Sequence, residues 1–140
     1  MARSLRVEFE GALYHVCARG NAREAVFRGE RDAARFVQLL QESPDRFEVS
    51  LYAFVLMGNH FHLIARTRRA NLSRWMQWLN VAYSVYFNRR HRRSGHLFQG
   101  RFKSFLVEGK KGYLLSLSRY VHLNPVRGAS LGRGTPAELA

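Results

Sequence analysis

Residues 51–65 read Leu-Tyr-Ala-Phe-Val-Leu-Met-Gly-Asn-His-Phe-His-Leu-Ile-Ala, and this stretch decides the fold. Val49 to Met57 is rich in β-branched and aromatic residues, which predicts a strand. Gly58-Asn59 is then a two-residue turn signal before a second apolar run, so a β-hairpin is expected. Side chains alternate along a strand, so His60 and His62 project from one face while Phe61 and Leu63 point the other way into a core. Two imidazoles on one face can converge on a single divalent metal ion. The competing reading is a pair of polar residues on the solvent face of an edge strand, because histidine ligates metal only with partners.

The flanking sequence places this hairpin in a larger sheet. Gly11 to Arg19 reads as a first strand, ended by Gly20-Asn21. Arg31 to Glu42 carries Ala33, Phe36, Val37, Leu39 and Leu40 at helical spacing, and Ser43-Pro44-Asp45 is expected to stop that helix. Asn71 or Ser73 can cap a long helix running to Arg90, with Leu72, Trp75, Met76, Leu79, Ala82, Tyr83, Tyr86 and Phe87 along one side. That stripe, like Trp78, reads as core packing. Arg101 to Glu108 is a further strand and Lys110 to Leu123 a third helix, closed at Asn124-Pro125 because the residue before proline leaves the helical region. Gly128 to Ala140 is glycine-rich and reads as a loop or linker. The order of elements predicts an α+β fold, a ferredoxin-like or RNA-recognition-motif-like antiparallel sheet with helices on one face. Residues 1–127 form one domain in this reading, and 128–140 a flexible C-terminal tail.

Composition narrows the class of partner. The chain has 140 residues, 46% of them hydrophobic, and a formal net charge of +13. The single cysteine, Cys17, excludes an internal disulfide framework and fits a reducing cytosol. No apolar run approaches the roughly 18 residues needed to span a bilayer, and the N-terminus lacks the apolar segment of a signal peptide. A cytoplasmic protein is expected. Between Glu48 and Glu108 there is no acidic residue, while Arg66, Arg68, Arg69, Arg74, Arg89, Arg90, Arg92, Arg93, Arg101 and Lys103 all fall there. A one-sign stretch of this length points to a polyanion, with nucleic acid ahead of an anionic membrane, since no helix combines a basic face with a wholly apolar one. The same gap argues against a two-metal carboxylate cluster. Metal chemistry should rest on histidine and amide ligands around one ion.

The last helix contains Arg119-Tyr120-Val121-His122-Leu123-Asn124-Pro125-Val126-Arg127. Tyr120 and Asn124 are four apart and share a helix face. A phenol and an amide there can both approach the histidine pair, Asn124 as a ligand and Tyr120 as a nucleophile. Of six tyrosines, Tyr14 and Tyr52 lie in expected strands and Tyr83 and Tyr86 in the long helix; spacing leaves Tyr113 as the competitor to Tyr120.

Four stretches together resemble the REP-associated tyrosine transposases, within the single-tyrosine histidine–hydrophobe–histidine (HUH) transposases of bacterial insertion sequences. They are Tyr14-His15-Val16 with Arg19-Gly20-Asn21, then Val55 to Ile64, then Gly95-His96-Leu97-Phe98-Gln99-Gly100-Arg101-Phe102-Lys103, and Tyr120 to Arg127. They occur in family order and cover residues 11–127. The resemblance implies that His60 and His62 are metal ligands, that Tyr120 is the nucleophile and that Asn124 is the third ligand. It implies a divalent ion, Mg²⁺ or Mn²⁺, that polarises the scissile phosphate of single-stranded DNA bearing hairpin or palindromic ends, with a 5′-phosphotyrosine link formed and a 3′-hydroxyl released. A nucleoid-associated monomer or homodimer is implied. The chain departs from the pattern after Arg127, where members usually continue into an aromatic-containing region; a short member or a truncation would account for this.

Arg89, Arg90, Arg92 and Arg93 read as a phosphate clamp at the end of the long helix. His96, Gln99, Arg101 and Lys103, with Phe98, combine the cationic, stacking and hydrogen-bonding groups that single strands require. His15, His91 and His122 are left out of the ligand set. Two other functions compete: a relaxase or rolling-circle nicking enzyme with the same chemistry, and a non-catalytic single-strand binder with stacking aromatics on its central strands.

Overall fold

The computed structural model of the chain describes residues 8–107 and, for its backbone, 130–134. Five strands and two α-helices follow in the order β1 (Leu13–Arg19), α1 (Glu30–Phe47), β2 (Val49–Met57), β3 (His60–Thr67), α2 (Leu72–Arg90), β4 (Lys103–Leu106) and β5 (Ser130–Gly134), with a short 3₁₀ turn at Asn21–Arg23 after β1. The sheet order is β4-β1-β3-β2-β5, and every neighbouring pair is antiparallel. The fold is the expected α+β sheet, with both described helices on one face.

The core shows why. Tyr14, Val16 and Ala18 of β1, Leu51, Phe54 and Leu56 of β2, and Phe61, Leu63 and Ala65 of β3 form one buried cluster with Phe36, Leu39 and Leu40 of α1 and Leu72, Trp75, Met76, Leu79, Tyr83 and Phe87 of α2. The opposite face carries a smaller buried set, Leu13, Ala53, Val55, Ile64 and Val107. All three central strands supply both by alternation, but β2 changes phase once, where its register shifts between Leu51 and Ala53. Tyr52 is the extra residue of a β-bulge, so Leu51 and Phe54 both face the helices despite odd spacing.

Three local expectations change. Helix α1 does not stop at Ser43-Pro44-Asp45 but continues to Phe47, with Pro44 inside it. Packing against α2 outweighs the proline: buried Ser43 donates to Leu39 O and accepts from Trp75 Nε1 at 2.8 Å, and the Phe47 ring packs on Trp78. The helix ends one residue later, where Glu48 is left-handed (φ 55°). Asn71 occupies the N-cap position of α2, yet its amide donates to Phe47 O instead. Glu8 does the capping, accepting from the Ser73 N–H at 2.9 Å and the Ser73 hydroxyl at 2.8 Å, which places a carboxylate at the positive end of the helix. Finally, residues 130–134, expected as loop, pair with β2 as an edge strand. An edge strand is held by main-chain hydrogen bonds, which a glycine-rich sequence can make without any side-chain pattern. The predicted third helix lies outside the described residues. Among the described residues no helix is long and apolar enough to cross a membrane.

Candidate active site

The β2–β3 hairpin sets the histidines where alternation requires. Phe61 and Leu63 are fully buried toward the helices, while His60 and His62 are half-buried on the other face. The Gly58-Asn59 turn is pinned: Gly58 O accepts from Val26 N and Phe27 N, and Asn59 O accepts from Gly20 N. Asn59 Oδ1 also lies 2.7 Å from His60 Nδ1. An amide oxygen only accepts, so His60 carries its proton on Nδ1 and offers Nε2 as its lone-pair nitrogen. The His60 and His62 ring centroids are 5.1 Å apart and the rings are nearly perpendicular.

β1 brings three more side chains to this face. His15 opposes Ile64, Cys17 opposes His62 and Arg19 opposes His60. On the other side of β1, Lys103 opposes Cys17 and Phe105 opposes His15. The segment before β4 runs on beside the end of β1, with Asn21 N donating to Leu97 O and Gln99 N to Arg19 O, both at 2.8 Å. The result is a cleft of about 500 Å³ lined by Cys17, Arg19, His60, His62, Gln99, Arg101 and Lys103.

The electrostatics follow from burial beside positive charge. Burial is the main cause that pushes His62 down to about 4, with His15, His60 and Arg19 adding to it. Burial also lowers His60, helped by Arg19, and lowers His15. All three rings are therefore neutral near pH 7, the state in which imidazole ligates a metal. Burial raises the Cys17 thiol, although Lys103 and Arg19 oppose that rise. Among the described residues no three His, Cys, Asp or Glu side chains are grouped to hold a metal. The pair fits a site whose remaining ligand is of another type or comes from elsewhere in the chain.

Three of the residues expected to contact DNA, Gln99, Arg101 and Lys103, line the histidine cleft. The others do not. His96 sits with Asn88 and Val85 on a separate groove beside α2. Arg90 pairs with buried Asp32 at 3.4 Å, and His91 with the same carboxylate at 2.8 Å. Arg93 donates to Asn88 Oδ1 and His96 O and pairs with Glu24 at 3.7 Å. Two arginines of the expected clamp are thus tied to the fold, while Arg89 and Arg92 are exposed. Acids from before residue 49 have folded back onto the stretch that has none.

Four of the six tyrosines are described. Tyr14 and Tyr83 are buried on the helix side of the sheet, and burial raises both phenols. Tyr86 lies on α2 near Asp32. Tyr52 is exposed at the bulge beside Arg66, six residues along β3 from His60 and so roughly 20 Å away. None of the four attends the histidine pair. Tyr113, Tyr120 and Asn124 lie outside the described residues. The sequence reading left out His15, Cys17 and Arg19. Alternation along β1 puts these three on one face, but only the register of β1 on β3 shows that it is the histidine face.

The family described as transposase IS200-like matches residues 8–124, and the chain belongs to it. In fold the chain is similar to the REP-associated tyrosine transposase bound to a REP hairpin, with a TM-score of 0.67 and 18% identity over 90% of this chain and 73% of that one. It is also similar to the crystal structure of a transposase candidate from Deinococcus radiodurans R1, with a TM-score of 0.58 and 16% identity over 86% of this chain and 96% of that one. At these identities the likeness is one of fold. No curated protein matches the sequence.

Proposed function

We propose that this transposase cleaves and rejoins single-stranded DNA carrying hairpin ends through a 5′-phosphotyrosine link to Tyr120. The observation that carries the reading is the cleft itself: two neutral imidazoles side by side on the open sheet face, rimmed by Arg19, Gln99, Arg101 and Lys103. His60 and His62 would hold a divalent ion, with Asn124 as third ligand; imidazole and amide donors suit Mn²⁺ at least as well as Mg²⁺. When bound, that ion polarises the scissile phosphate and stabilises charge on its oxygens.

The chain's own groups do the rest. Arg19, Arg101 and Lys103 draw the phosphodiester into the cleft, and Gln99 supplies a neutral hydrogen-bonding group for a base or sugar. The Tyr120 oxygen attacks phosphorus in line, a P–O bond to Tyr120 forms, and the bond to the departing 3′-oxygen breaks. The phenolic proton is lost and the 3′-oxygen gains one, so phosphodiester energy is conserved and rejoining needs no nucleotide cofactor. The protein with a REP hairpin bound is a fold relative, and a hairpin end is the substrate tested first. A non-catalytic binder would place stacking aromatics on its central strands, whereas β1 and β3 here carry His15, Cys17, His60 and His62 on the open face.

Tyr120→Phe tests the proposal. With Mn²⁺ and a hairpin substrate labelled on the 5′-phosphate side of the cleavage point, wild type and Tyr113→Phe should give a protein–DNA band that survives denaturation. Tyr120→Phe should bind the same DNA and give none. An adduct from Tyr120→Phe places the nucleophile elsewhere, and its absence from wild type on hairpin substrates favours the binder.

A further inference from the structure

His15 has no part in the chemistry above, yet from the neighbouring strand it reaches hydrogen-bonding distance of His62. It stands diagonally from His62 across the β1–β3 ladder, since His15 opposes Ile64 and Cys17 opposes His62. The two rings meet edge to edge, with centroids 5.1 Å apart and planes 29° from parallel, and His15 Nε2 lies 3.0 Å from His62 Nδ1. Phe105 packs on the His15 ring at 5.8 Å and helps fix its plane.

A histidine that holds a metal through one nitrogen is set by what its other nitrogen does, because that bond decides tautomer and ring direction. For His60 the partner is Asn59 Oδ1. For His62 it is His15. We propose that His15 is a positioning residue: its Nε2 accepts the Nδ1 proton of His62, which fixes the His62 ring with Nε2 as its ligating nitrogen. This rests on the reading of His60 and His62 as metal ligands. Acceptance requires that His15 carry its own proton on Nδ1. His15 is not itself a ligand of the same ion, because its Nε2 is directed at the His62 ring, and no three metal-binding side chains are grouped among the described residues. The two ligands are thus oriented by different parts of the fold, one by the hairpin turn and one by the neighbouring strand.

The test compares wild type, His15→Phe and His15→Gln without DNA. Phenylalanine keeps a ring between His62 and Phe105 but no nitrogen; glutamine keeps an acceptor oxygen near the position of Nε2. Mn²⁺ affinity, read by electron paramagnetic resonance of the free ion, should fall about 10- to 100-fold in His15→Phe, the usual loss when the partner of a metal-bound histidine is removed. His15→Gln should bind close to wild type. In metal-free protein, ¹⁵N NMR of the His62 ring should show the proton on Nδ1 in wild type and His15→Gln, and a tautomer mixture in His15→Phe. Equal Mn²⁺ affinity and an unchanged tautomer in His15→Phe overturn the role of His15 while leaving the ligand pair intact. Equal losses in both variants, tracking a fall in melting temperature, reduce His15 to packing and also overturn it. A wild type that binds no Mn²⁺ overturns the ligand reading, and this role with it.

Discussion

Acid should destabilise the metal-free protein through His62, and the size of the effect can be worked from its burial. Burial, with positive charge from His15, His60 and Arg19, holds this ring at about 4 against an ordinary 6.5. Between those values the unfolded chain binds a proton that the folded protein refuses. Stability rises with pH wherever the unfolded state binds more protons, so this contribution is intact above pH 6.5 and is lost as the pH falls towards 4. At about 1.4 kcal/mol per pKa unit, the gap is worth at most about 3 kcal/mol for this one ring. The assay is urea denaturation of wild type and His62→Gln in chelator at pH 7, 6, 5 and 4, followed by the fluorescence of Trp75 and Trp78. Carboxylate titration is common to both proteins and cancels in the difference. That difference should shift in favour of the variant by about 3 kcal/mol, with a slope no steeper than about 1.4 kcal/mol per pH unit. A flat difference would mean that His62 titrates normally and is not held neutral among its neighbours.

Three other outcomes are expected from the described residues. Replacing exposed Arg89 and Arg92 with alanine should weaken single-strand binding across all sequences and reduce the log–log salt slope by about 0.7 for each phosphate no longer neutralised. Arg93→Ala should instead lower the melting temperature, because its guanidinium bonds Asn88 and His96; equal salt slopes for Arg92→Ala and Arg93→Ala would remove that distinction. Gly20→Ala should destabilise by about 2 kcal/mol or more, since an added Cβ would sit 2.2 Å from the backbone oxygen of Glu24; an unchanged urea midpoint would contradict the tight packing of this turn on the hairpin.

Much of the fold was legible because it is local. The alternation Phe61/Leu63 against His60/His62, and the stripe from Leu72 to Phe87, are periodicities that any packing of these elements must respect. Other features depend on partners far along the chain. Nothing near Pro44 shows that Trp75 will bond Ser43 and carry the helix past it. Nothing near Arg90 shows that Asp32 will take up its charge. The place of His15 required the register of two strands some 47 residues apart, which neither strand specifies alone. β5 has no side-chain pattern to read, being an edge strand with glycine at positions 132 and 134.

The bulge at Tyr52 gives β2 two reading frames. Val49 and Leu51 face the helices before it, and Phe54 and Leu56 after it. β1 and β3 have one frame each, paired without a break from Leu13↔Arg66 to Arg19↔His60. Inserting or deleting one residue inside either would exchange the two sides of that strand, sending imidazoles into the aromatic core and Phe61 or Val16 into the cleft. Chain length can therefore vary by a residue at Tyr52, where the added side chain meets solvent. It is fixed between Leu13 and Arg19 and between His60 and Arg66.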